Sequence, residues 1–153
     1  MIQTQQSEEE TFIQITKNIS QVNIDNEGTF KYILILLEGN NNKEFYFVRG
    51  LKQYEYHAQN FEHFCNEAKN NLKWSEFKFD LEKGTIKAEL NGHKFKFMCV
   101  GGGRIKHSNI QQSLEIYGYS QSYGQCDHKI SLNIIRTVYP YLDKNVITRN
   151  DGY

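Results

Sequence analysis

The sequence predicts an α+β protein, a single domain built on a mixed β-sheet of about six strands flanked by two main helices. Three observations lead there. Short runs alternating apolar and polar residues recur, separated by turn signals such as Asn91-Gly92. Helix-period apolar patterns are confined to two separated stretches, residues 50–70 and 131–139. The chain has 153 residues, which suits one domain around one core.

Residues 1–20 are polar and acidic, with Phe12, Ile13 and Ile15 as their apolar grip. They read as a flexible leader that contributes at most one short element, with the domain proper over 21–153. Asp25-Asn26-Glu27-Gly28 is a turn signal. Residues 29–38, TFKYILILLE, read as a strand whose consecutive apolar tail calls for cover on both faces. A polar link, 39–43, joins it to the alternating run 44–49 in a hairpin. Gly50 ends that strand, and a helix follows to about residue 70.

Residues 74–98 form a strand meander. Phe77 and Phe79 alternate with Lys78 and Asp80, Glu82-Lys83-Gly84 turns, 85–90 alternates, and Asn91-Gly92 leads into 93–98. An added β-hairpin is therefore expected between residues 74 and 98. Gly101-Gly102-Gly103 interrupts the meander, and 104–107 with 113–119 make a further strand pair. Residues 120–125 are a small, polar loop. Ser131 is a candidate cap for a helix through about 139, with Ile134, Ile135 and Val138 on one face, and Pro140 stops it. Residues 146–148 make a last strand.

Charged residues balance, 18 against 18, which argues against a nucleic-acid or anionic-lipid surface. The longest strongly apolar run, 32–37, is far short of a membrane span. No basic start or apolar run marks a secretory signal. Cys65, Cys99 and Cys126 are far apart and form no CxxC pair, which points away from structural zinc and towards a reduced, cytoplasmic setting.

Several residues are candidates for chemistry, each with a plainer alternative. On a wheel of about 100° per residue with Tyr54 as zero, Leu51, Ala58, Phe61, Cys65 and Ala68 share one apolar arc. His57 lies at the edge of that arc and points inward, while His63 falls on the opposite face. His57 is either a core-edge imidazole held by a carbonyl or a functional group. Gly101-Gly102-Gly103-Arg104 either meets an anion or makes a bulge or tight turn. The glycine-flanked loop 118–124 is an anion nest with the Ser120 and Ser122 hydroxyls, or a surface turn. Lys31 snorkels from a strand edge or points into a site. Arg49 orients a phosphate or pairs with a carboxylate. His107 and His128 lack ligand-like spacing, so no metal is expected. The segment 118–122 misses the second glycine of a nucleophile elbow.

The motifs FKY (30–32), VRG (48–50), EYHA (55–58), GGGRI (101–105), YGYS (117–120), YG (123–124) and the terminal NDGY occur in this order. Together they resemble the phosphohistidine phosphatases of the Janus/Ocnus family, over residues 22–153 with a gap. The resemblance implies metal-independent hydrolysis of phosphohistidine in other proteins, with no cofactor. It implies that His57 is the base or nucleophile, that Lys31 contacts the phosphoryl group, and that Ser120, Gln121 and Ser122, with Ala58 of the EYHA motif, bind phosphate. Arg49 and Arg104 are supporting candidates. Phosphohistidine-containing proteins are the implied partners, and a monomer is expected. A catalytically weak phosphate-binding signalling module of the same fold is the alternative. The chain departs from the family pattern in the longer stretch 70–96, where the added hairpin falls, and at the loop tip Gln121-Ser122.

Overall fold

Six consecutive residues of one strand set the architecture. In the computed structural model, which describes residues 6–40 and 42–152, residues 32–37 of strand β2 (Glu27–Glu38) are all buried. They divide by parity, as a pleated strand requires. Ile33, Ile35 and Leu37 enter one core with Phe61, Phe64, Cys65 and Ala68 of helix α2 (His57–Asn71). Tyr32 and Leu34 enter a second core, with Ile105, Ile116 and Ile135. The double cover expected of this strand is therefore present.

Eight strands form one mixed sheet, which bears out the α+β, single-domain expectation. β1 (Val22–Ile24) runs parallel to β3 (Glu44–Gly50), and β3 pairs with β2 as the expected hairpin. β4 (Glu76–Asp80), β5 (Thr85–Leu90) and β6 (His93–Ser108) make the expected meander, so the added hairpin is real. β2 pairs with the whole length of β6. The other edge of β6 meets β5 in its first half and β7 (Ser113–Tyr117) in its second, and β8 (Val146–Thr148) lies parallel to β7.

β6 is continuous through the glycine triplet, which corrects the expected interruption. A β-bulge sits there instead. Leu34 faces Gly101 while Ile35 faces Cys99, leaving Val100 as the extra residue, and Gly101 takes φ +144°. The bulge flips the side-chain parity of β6. Before it, Phe95, Phe97 and Cys99 join the α2 core; after it, Ile105 joins the other. On the α2 side of the sheet, Lys31 then lies in register with Arg104, and Thr29 with Lys106, beyond the cover of the helix.

The helices depart from expectation at their ends. Residues expected to form a loose leader include helix α1 (Glu8–Asn18), whose Phe12 and Ile15, with Ile19 just beyond it, join the α2 core. Its signal is a capping box: Ser7 Oγ accepts from the Glu10 N–H, and Glu10 Oε1 accepts from the Ser7 N–H. The first five residues of the expected leader, and Tyr153 of the NDGY motif, lie outside the described residues. α2 begins at His57, not near Gly50, so Leu51 and Tyr54 precede it. Tyr54 instead stacks on His63, ring centroids 5.4 Å apart, and His63 is half-buried, not turned to solvent. α3 (His128–Ile135) is capped by Asp127, and Ser131 is buried within it. Because α3 ends at Ile135, Val138 is exposed.

Arg49 is 1% exposed and wholly committed to structure. Nε and Nη2 donate to Glu67, Nη1 to the Gln21 and Val48 carbonyls, and Nη2 also to the Ser20 carbonyl. All five guanidinium N–H groups are thereby used, so none is left for a phosphate. Of the two readings of Arg49, the carboxylate pair is the correct one. Replacing Arg49 by Met takes a donor from Glu67 and from three carbonyls, and should destabilise the protein by about 3 kcal/mol in urea denaturation.

Candidate active site

His57 is the first residue of α2, so its backbone stands at the helix end where N–H groups lack intrahelical acceptors. The Tyr56 carbonyl accepts from the Gln59 and Asn60 N–H groups, which leaves the His57 and Ala58 amides open at the positive end of the helix dipole. The imidazole lies close against the glycine segment of β6. A Cβ on Gly102 would stand 3.0 Å from His57 Cδ2 and would run into the Tyr32 carbonyl oxygen. Only glycine admits the ring here.

His57 Nε2 lies 2.9 Å from the Gly103 carbonyl oxygen. A carbonyl only accepts, so Nε2 carries the hydrogen and the neutral ring keeps its lone pair on Nδ1. Nδ1 makes no hydrogen bond among the described residues. Burial, then the nearby charges of Lys31 and Arg104, hold the pKa below its ordinary 6.5, against the opposing pull of the Gly103 carbonyl. The ring is thus neutral at pH 7, with a bare nitrogen. The plain reading of His57 applies, since a carbonyl holds it, and that bond leaves the other nitrogen bare.

Lys31 and Arg104 are cross-strand neighbours on β2 and β6. Together with Thr29, Lys52, Tyr54 and Glu55 they line a recess of about 310 Å³. Lys31 Nζ also stands 5.3 Å from the centre of the Tyr56 ring. A larger recess, about 420 Å³, lies over β4–β6 and the end of β2, lined by Ala88 and Phe95 among Lys and Glu side chains and without any of the candidate residues.

The loop after β7 meets the site through Gly102. Its N–H donates to the Gly124 carbonyl, 3.0 Å. Ser120 and Gly124 exchange backbone hydrogen bonds, and Ser120 Oγ accepts from the Tyr123 N–H. The Ser120 amide is therefore bonded within the loop, and its side chain is buried and shapes the loop from inside. Gln121 and Ser122 are exposed, and their amides bond to nothing among the described residues. In the GGGR segment the Gly102 amide is likewise taken, so it offers no anion nest.

A second imidazole sits on the opposite face. A Cβ on Gly103 would lie 2.9 Å from His128 Cε1 and against the Tyr117 carbonyl oxygen. His128 Nε2 donates to the Gly118 carbonyl at 2.8 Å, so its Nδ1 accepts from the Tyr32 O–H, 2.5 Å away. Ser131 Oγ and Cys126 Sγ lie 3.0 and 3.2 Å from the same phenol oxygen. Burial raises the Tyr32 pKa and lowers that of His128, so both are neutral. Sequence reasoning missed this network. The only trace in the sequence is the tyrosine of FKY, since the partners of Tyr32 lie about 95 residues away.

The structure thus places Lys31 and Arg104 near His57, which Ala58 follows, leaves Gln121 and Ser122 exposed on the loop after β7, turns Ser120 into that loop, and commits Arg49 to structural bonds. The cysteines are free and buried, with thiols pushed up by burial, which leaves them poor nucleophiles. Among the described residues, no three His, Cys, Asp or Glu groups converge as metal ligands, and no helix is long and apolar enough to cross a membrane.

These parts define an α+β protein with two cations beside an imidazole whose Nδ1 is bare. The chain belongs to the Janus/Ocnus family, whose model matches residues 16–143, so the family resemblance carried by the ordered motifs is borne out. It is 34% identical to the 14 kDa phosphohistidine phosphatases of Sus scrofa and Homo sapiens, over 88% of this chain and 93% and 94% of theirs. It is 33% identical to the sex-regulated protein janus-A of Drosophila pseudoobscura pseudoobscura, over 88% of this chain and 78% of that protein.

Two predictions follow from this geometry. Gly102→Ala should displace the His57 ring and move its pKa towards 6.5, as read by NMR titration of the imidazole. His57 and His128 both have depressed folded-state pKa values, so the unfolded chain binds protons more readily as pH falls below about 6.5. Stability is full above that pH and should decline below it; urea midpoints at pH 7.5 and 5.5 would show the drop.

Proposed function

We propose that this protein is a protein-histidine phosphatase that hydrolyses the P–N bond of phosphohistidine in other proteins. The observation that carries the reading is the bare Nδ1 of a neutral His57 beside the paired cations Lys31 and Arg104. The printed names of the pig and human relatives supply the substrate class.

A phosphoramidate breaks readily once its leaving imidazole is protonated, so the demands are to place water in line and to neutralise the phosphoryl oxygens. In this reading Lys31 and Arg104 face those oxygens, and the amides of Ala58, Gln121 and Ser122 donate to them. His57 Nδ1 takes the proton of the attacking water as the new P–O bond forms. The P–N bond breaks, and its electron pair leaves on the protonated imidazole of the substrate. The alternative role for His57 is attack by Nδ1 on phosphorus, followed by hydrolysis of the phospho-His57 so formed. The reaction is proposed to need no metal, and the protein to act as a cytoplasmic monomer.

His57→Ala should lower turnover on a phosphohistidine protein by at least about a hundredfold, as expected for loss of a general base. Undiminished activity in that variant would overturn the assignment, and loss of activity with chelator would overturn its metal-free part. A domain that binds the phosphoprotein with no turnover above the His57→Ala control would instead be a signalling module. The pH profile gives a further prediction. Because burial, aided by the charges of Lys31 and Arg104, depresses the His57 pKa, kcat/KM should fall only as pH drops below about 6.5, and Lys31→Met should move that acid limb to higher pH while raising KM.

A further inference from the structure

We propose that the turn between β4 and β5 and the side chain of Tyr123 form a latch that sets the loop 120–124 in its anion-holding shape, making Tyr123 a positioning residue. The inference rests on the phosphatase reading and assigns a part in it to the added hairpin. The Tyr123 hydroxyl donates to the Leu81 carbonyl in that turn, 2.6 Å away. A Cβ on Gly84, which holds φ +68°, would stand 2.9 Å from two atoms of the Tyr123 ring. The turn is in turn fixed to β6, because the Cys99 N–H donates to the Gly84 carbonyl at 2.7 Å, two residues before the bulge glycine. On its other side, the Tyr123 ring packs edge-on against Phe61, centroids 5.8 Å apart, one helical turn beyond His57.

Tyr123 therefore ties the loop to the helix that carries His57 and to a turn some forty residues earlier in the chain. It directly follows Gln121 and Ser122, whose amides stand open. Its own N–H is spent on Ser120 Oγ inside the loop. The loop is short and its tip exposed, so its internal bonds are few. The hydroxyl anchor removes freedom that an anion would otherwise have to remove on binding, which is the ordinary benefit of preorganisation. Nothing in the latch touches His57 Nδ1, so it acts on affinity and leaves the proton acceptor alone.

Tyr123→Phe deletes the hydroxyl and keeps the ring. The expected result is a rise of about five- to tenfold in KM for a phosphohistidine protein, the loss of one hydrogen bond, with kcat within about twofold. The dissociation constant for inorganic phosphate, read from NMR shifts of the Gln121 and Ser122 amides, should weaken by a similar factor. Gly84→Ala pushes on the ring from the hairpin side and should give the same KM-weighted loss. Unchanged KM and phosphate affinity in Tyr123→Phe would overturn the latch and leave the hydrolytic reading intact. A wild-type protein that neither hydrolyses phosphohistidine nor binds phosphate would overturn both.

Discussion

Two imidazoles approach one strand from opposite faces, and neither can do so unless that strand lacks side chains. Gly102 gives His57 its place and Gly103 gives His128 its place, while the Gly103 carbonyl selects the tautomer of His57. Much else depends on that close approach. The carbonyl of Gly124 is held by the Gly102 amide, which ties the end of the loop to the strand that His57 lies against. Lys31 and Tyr32 are adjacent on β2, so the lysine near His57 and the phenol that donates to His128 share a strand while facing opposite sides of the sheet. Glycine is costly in a strand interior, and here the cost is offset by two buried hydrogen-bonded rings.

The bulge beside the glycines has a wider effect. By flipping the parity of β6, it lets one strand serve a core on each face of the sheet at different points along its length. Each face is consequently part covered and part open. The site lies on the seam, where cover by α2 ends at its own N-terminus and the open face begins with Lys31 and Arg104. That seam combines a helix end, cations from a sheet face and a partly desolvated imidazole. That mixture keeps the base neutral, because desolvation and the like charges both oppose its protonation.

The sequence readings that failed did so for identifiable reasons. Arg49 closes a strand beside the site helix, and its spacing alone cannot show that Glu67 and three backbone carbonyls consume every donor. Ser120 was a reasonable anion donor by composition, but a short loop satisfies its own ends first, and its amide goes to Gly124. The start of α2 was misplaced because Tyr54 and Leu51 fit a helical arc. Their apolar surface is used instead in a turn, where Tyr54 stacks on His63. The leader helix had a legible Ser7–Glu10 capping box, but too few apolar residues to be convincing until Phe12, Ile15 and Ile19 are seen meeting the core.

By itself the sequence determined the local matters: the doubly buried strand, the Asn91-Gly92 hairpin, the inward direction of His57, and the ordered motifs that mark the family. These are legible because period, turn chemistry and motif order are written within a few residues. Only the tertiary structure decided which nitrogen of His57 is bare, which loop amides remain open, and that Arg104 stands beside Lys31 while Arg49 does not. Those outcomes depend on hydrogen bonds between residues far apart in the chain, and on whether each donor finds a nearer acceptor first. His57 is thus inward by its helix, but it is a candidate base only because a glycine strand lies flat enough to hold its other nitrogen.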